Sequence, residues 1–127
     1  MNEIRADIRK NRIYICLEHG NRDEVRGIVN DIERECKKLQ RGFSCLTDIR
    51  NYTPISENDE DLLIQAQIIL WQAGMTKVVR VINSTFERGQ MQLERASRLS
   101  AGYSAAAADT IEDAEEFLDS EMNDPER

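Results

Sequence analysis

From Ile13 to Leu17 the chain alternates, with Ile13, Ile15 and Leu17 on one side of an extended segment and Tyr14 and Cys16 on the other. A period of two predicts a strand. Weaker alternation at Ile4, Ala6 and Ile8, with Asn11 as a turn residue, predicts that this strand closes an opening hairpin. His19-Gly20-Asn21 ends the unit. The period then changes. Val25, Ile28, Val29, Ile32, Cys36 and Leu39 make one helical stripe, with Asn21 or Asp23 as cap, Lys37-Lys38 near the end and Gly42 as the stop. Phe43 to Ile49 reads as a short strand buried on both faces.

A polar loop from Arg50 to Asn58 containing Pro54 precedes a second helix. Its stripe is Leu62, Ala66, Ile69 and Ala73, flanked by Leu63 and Leu70, with Asp59-Glu60-Asp61 at its start and Gly74 as its stop. Lys77 to Ile82 predicts another buried strand. A third helix is expected from Phe86 or Glu87 to Leu99, and an edge strand of small residues from Ser104 to Ala108. Thr110-Ile111-Glu112-Asp113 has the form of a capping box opening a last helix through Leu118. Helices alternating with strands in this order predict an α/β fold: a mostly parallel sheet with an N-terminal hairpin, covered by about four helices. The expectation is one domain over residues 1–119 and a flexible acidic tail over 120–127.

Charge sharpens that last division. The formal charge is −7, yet from Asp109 onward there are nine acidic residues and one basic one, so the preceding 108 residues are nearly neutral. Nucleic acid is a poor partner for such a chain, because phosphate binding needs a net basic surface. The acidic end reads as a solvated helix face, or as a docking element for a basic partner. The longest apolar run, Ile13 to Leu17, is far short of a bilayer span, and the N-terminus has no apolar stretch of the kind a secretory signal needs. Cys16, Cys36 and Cys45 lie too far apart for a zinc site, and His19 is the only histidine. No cofactor or metal is expected, the cysteines read as inert thiols of a reducing compartment, and the expected location is the cytoplasm.

The element order, together with Gly42-Phe43, Thr47-Asp48-Ile49, the helix-to-strand turn Gly74-Met75-Thr76-Lys77-Val78-Val79-Arg80-Val81 and the closing Glu112-Asp113-Ala114-Glu115-Glu116-Phe117-Leu118, resembles the STAS-like (SpoIIAA-like) superfamily of small bacterial proteins. The resemblance implies a small sheet with helices packed on it and a regulatory, non-enzymatic role. Members of the anti-sigma-antagonist type bind a partner kinase and are phosphorylated on a serine of an Asp-Ser-Ser-Gly-like motif. Here that position falls at Ile55-Ser56-Glu57-Asn58, which lacks both the Asp-Ser pair and the glycine. A phosphate on Ser56 would add negative charge beside Glu57, Asp59, Glu60 and Asp61, so Ser56 is expected to stay unmodified.

Open α/β sheets bind ligands outside the carboxyl ends of their strands. Asp48, Arg50, Asn51, Tyr52, Thr53 and Ser56 should gather at that edge, joined by Asn83, Ser84 and Thr85 from the next strand. Asp48 has a second reading, as a carboxylate that braces its loop. An anion site at the second helix is disfavoured, because Asp59, Glu60 and Asp61 already offset its dipole. No nucleophile has a base assignable beside it, and the glycines are scattered, so no catalytic residue is expected. Arg88, Arg95 and Arg98 on the third helix, with Arg80 before it, read as a self-paired face or as a strip for an acidic partner, such as the last helix of this or a second copy.

Ile68 and Trp71 widen the apolar surface of the second helix beyond its stripe. They are core, a self-association patch or the wall of an apolar cleft. Two functions follow: a protein-interaction module whose expected contact is a homodimer near Trp71, and a binder of a small apolar or lipid-like ligand between sheet and helices. A filled interior favours the first, and a cavity of a few hundred Å3 the second.

Overall fold

Five strands form one sheet in chain order: β1 (Glu3–Asp7), β2 (Arg12–Cys16), β3 (Ser44–Asp48), β4 (Lys77–Val81) and β5 (Ala106–Ala108). The first pair is antiparallel and every later pair is parallel. The computed structural model describes residues 2–18, 20–82 and 105–122. Within them lie three α-helices, α1 (Arg22–Cys36), α2 (Glu60–Ala73) and α3 (Ile111–Met122), and a 3-10 turn at Glu57–Asp59 leading into α2. The α/β class, the mostly parallel sheet and the opening hairpin are as the periodicity predicts. The helix expected over 86–99 lies outside the described residues. The last helix runs to Met122, past the expected start of the tail, and 123–127 also lie outside.

Strand alternation sorts the side chains into two layers. Ile13, Ile15 and Cys45 face α1 and α2, with Val25, Val29, Ile32, Leu62, Leu63 and Leu70 closing over them. Leu46, Val79 and Val81 face the other way and meet Ala114 and Leu118 of α3. The stripe of α2 is rotated from the expected one. Leu63 and Leu70 are buried while Ile69 and Ala73 are partly so, because the helix packs on α1 as well as on the sheet. Ile8 is also not a strand residue: it sits in the hairpin turn and is 68% exposed.

Local chemistry fixes the ends. Asn21 caps α1 and forms a capping box with Glu24. Asn11 has φ +52°, and its side chain bonds both backbone groups of Gln40, pinning the hairpin tip to the α1–β3 connection. Glu35 of α1 accepts the Ala6 backbone N–H at 2.9 Å and so covers part of the free edge of β1.

Gly74 ends α2 at φ +108°, and a Cβ there would lie 2.9 Å from Arg41 Cα. Gly42 has φ +92° with nothing within 4 Å of its would-be Cβ. Gly74→Ala should therefore cost about 1–3 kcal/mol, and Gly42→Ala only the backbone share, about 1 kcal/mol. Urea midpoints rank the two, and an equal or reversed ranking would show that Arg41 simply moves aside.

The third layer is held by charge. Arg12 is fully buried, and its guanidinium donates to Ser44 Oγ (2.8 Å), Glu115 Oε1 (2.9 Å) and Asp119 Oδ1 (2.9 Å). Lys10 and the Tyr14 hydroxyl also donate to Glu115, at 2.8 and 2.6 Å. The acidic last helix is thus not wholly a solvated face. One step round from Ala114 and Leu118, its carboxylates at 115 and 119 clasp the hairpin.

Candidate functional site

Register places side chains in rows across the α3 face of the sheet. Glu3, Cys16, Asp48, Val81 and Ala108 form one row, and Arg5, Tyr14, Leu46, Val79 and Ala106 the next. Helix α3 covers the β4–β5 half of these rows and Leu46 of β3. Among the described residues the rows over β1 and β2 carry no helix, and with Leu46 and Asp48 of β3 they floor a cleft of about 320 Å3, with Ile111 and Glu115 of α3 as its far wall. It lies at the carboxyl end of β2 and β3, the edge where parallel sheets hold their ligands.

The expected edge residues divide here. Arg50 donates to Asp48 through Nε and Nη2, both at 2.9 Å, and its backbone N–H adds a bond at 3.2 Å. This fork holds the Asp48 carboxyl below its usual range, and Asp48 both braces the exit from β3 and lines the cleft. Tyr52 goes the other way. It is 2% exposed in the α1–α2 core, and burial pushes its hydroxyl up to about 12. Its place on a ligand edge is corrected: the loop carries Tyr52 and Ile55 over to the opposite face, where an aromatic ring gains more from burial than from water. Asn51 and Ser56 are exposed, and Ser56 caps the 3-10 turn by accepting from the Asn58 N–H at 3.3 Å. Asn83, Ser84 and Thr85, the single histidine His19, and Arg88, Arg95 and Arg98 lie outside the described residues.

At the start of α2 sits a cation. Arg22 of α1 pairs with Asp59 at 3.0 Å and Asp61 at 3.1 Å. The space between the sheet and α1–α2, lined by Ile15, Val29, Leu63 and Leu70 among others, holds a cavity of only about 40 Å3. Small-molecule sites are of order 300 Å3 or larger. Arg80 is buried on this inner face.

Among the described residues, the thiols and the Glu115 carboxyl are held away from their ordinary titration ranges. Burial, then the Asp48 carboxylate, raise the Cys16 thiol, and burial pushes Cys36 up to about 12 and Cys45 to about 11. All three stay protonated at neutral pH, which makes them poor nucleophiles. Burial alone would raise Glu115, but hydrogen bonds from Lys10, Tyr14 and Arg12 outweigh it and bring its carboxyl down to about 2. It is an anchored anion rather than a proton carrier. Among the described residues no group of three or more His, Cys, Asp or Glu side chains is arranged to hold a metal ion. No described helix is long and apolar enough to cross a membrane.

Trp71 is half exposed, at 50%, and Ile68 is half-buried. Trp71 and Phe117, the latter 39% exposed, share a depression of about 290 Å3 with Met75, Val78 and Ala106 at the amino end of β4 and β5. No family model matches the chain, and neither curated proteins nor solved structures supply a match.

Proposed function

We propose that the chain is a non-enzymatic, STAS-like protein-interaction module whose contact surface is built around Trp71 and whose first partner is a second copy of itself. The observation that carries this reading is the half-exposed Trp71 of α2, which lines one depression with the partly exposed Phe117 of α3 at the amino end of β4 and β5. Large aromatics surrounded by apolar contacts are typical anchors of protein interfaces. The near-filled space under α1 and α2 supports the interaction module over a lipid-like ligand held beneath those helices. The STAS-like kinship rests on the element order and on the residue runs around Asp48, Gly74 and Glu115.

Sedimentation at micromolar concentration tests the surface. The parent protein should run as a dimer and Trp71→Glu as a folded monomer by circular dichroism. A monomeric parent, or a variant that still dimerises, rules the Trp71 surface out. An unfolded variant would place Trp71 in the fold rather than in a contact.

A further inference from the structure

The cleft over β1–β3 has a polar rim whose two members leave their hydrogen-bonding capacity open. Two of its four charges are engaged: Glu115 accepts from Lys10, Arg12 and Tyr14, and Asp48 from Arg50. Glu3 and Arg5 differ. They stand two residues apart on β1 and so on the same face of the sheet, both lining the cleft. Neither side chain forms an ion pair or hydrogen bond among the described residues. The Arg5 guanidinium lies 4.0 Å above the Tyr14 ring, a contact that orients its fork without using its N–H donors. Behind the pair the floor is apolar, made by the Tyr14 ring and Leu46, with Ile111 on the wall.

We infer that this cleft binds a free α-amino acid with an apolar side chain, with Arg5 taking the carboxylate, Glu3 the ammonium and the Leu46–Ile111 side the side chain. Two same-face residues of a strand are about 7 Å apart along the chain. That interval accommodates a ligand whose opposite charges sit on neighbouring atoms, with one hydrogen bond on each side. A carboxylate alone would leave Glu3 repelling it, and an amine alone would meet Arg5. A zwitterion satisfies both, and a volume of about 320 Å3 admits a branched side chain without demanding a larger ligand. This site is separate from the Trp71 surface and does not depend on it.

The test is titration of the full chain, followed by amide chemical shifts, with L-leucine, L-leucinamide and 4-methylpentanoate. L-Leucine should give saturable shifts at Arg5, Cys16, Leu46 and Ile111. Each analogue, lacking one charge, should bind about tenfold more weakly or less. Arg5→Gln and Glu3→Gln alter exposed side chains, and each should weaken L-leucine by a similar factor without changing the circular dichroism. Absence of saturable shifts at millimolar L-leucine overturns the assignment. So does equal binding of 4-methylpentanoate, or unchanged L-leucine binding by both variants.

Discussion

Arg12→Ala should lower the free energy of unfolding by about 3–5 kcal/mol, the usual cost of removing one partner from a buried ion pair. The side chain is wholly shielded from water and bridges Ser44 on β3 to Glu115 and Asp119 on α3. Its loss leaves the Ser44 hydroxyl without that donor and opens a cavity the size of a guanidinium. Lys10 and Tyr14 still hold Glu115, and Asp119 is half exposed, so the carboxylates are not stranded and the cost should stay near the lower end. Arg12→Lys should recover little, because one ammonium cannot match three acceptors arranged for a planar fork. Urea unfolding at neutral pH measures both. A loss under 1 kcal/mol for Arg12→Ala, within the range of exposed ion pairs, would mean that the clasp is ornamental.

Acid should dismantle the same clasp. The Glu115 carboxyl titrates near 2 in the folded chain, below its unfolded value. A depressed carboxyl stabilises the fold in full above the unfolded pKa and loses that contribution as pH falls toward the folded one. Between about pH 5 and pH 2 the protein should therefore lose roughly 3 kcal/mol through this one group. Glu115→Gln carries no such titration. It should start less stable at neutral pH, and its stability should decline less steeply over that interval. Parallel curves for parent and variant would assign the acid sensitivity to other carboxylates.

Much of the fold was legible from periodicity. The stripe of α1 and its Asn21 cap, the two-sided burial of β3, the Gly74 stop and the Thr110 cap of α3 all depend on residues within one or two turns of each other. What escaped depends on partners far along the chain. Arg12 carries a charge at the edge of an alternating strand, and local pattern assigns such a residue to water. Its partners lie 103 and 107 residues away. A signal was present in α3, where Glu115 and Asp119 repeat the four-residue spacing of Ala114 and Leu118, but a surplus of acidic neighbours masked it. Near the cleft, Asp48 stands at the strand end where alternation puts it, whereas Tyr52 turns into the α1–α2 core, because loops have no period to show which side chains turn inward. Glu3, Arg5 and Tyr14 enter the cleft only through the register of β1 on β2, which alternation alone does not set.

The clasp also bears on how the chain assembles. Each strand pairs with its neighbour in sequence, so the sheet grows by adding one unit at a time to an existing edge. Such growth suits a chain emerging from the ribosome, since no early strand waits for a late one. Arg12 is the exception. Its hydrogen bond to Ser44 forms once β3 is in place, but its carboxylate partners arrive with α3, after the rest of the sheet. Closing contacts across 103 and 107 residues carries a far larger loop entropy than closing the 32-residue contact to Ser44, and it falls late in folding. Until then no described helix covers the α3 face of the nascent sheet, and Leu46, Val79 and Val81 lack their contacts with Ala114 and Leu118 while Arg12 lacks its two carboxylates. Synthesis thus delivers the helix that this face and this cation both need only after the five strands are made.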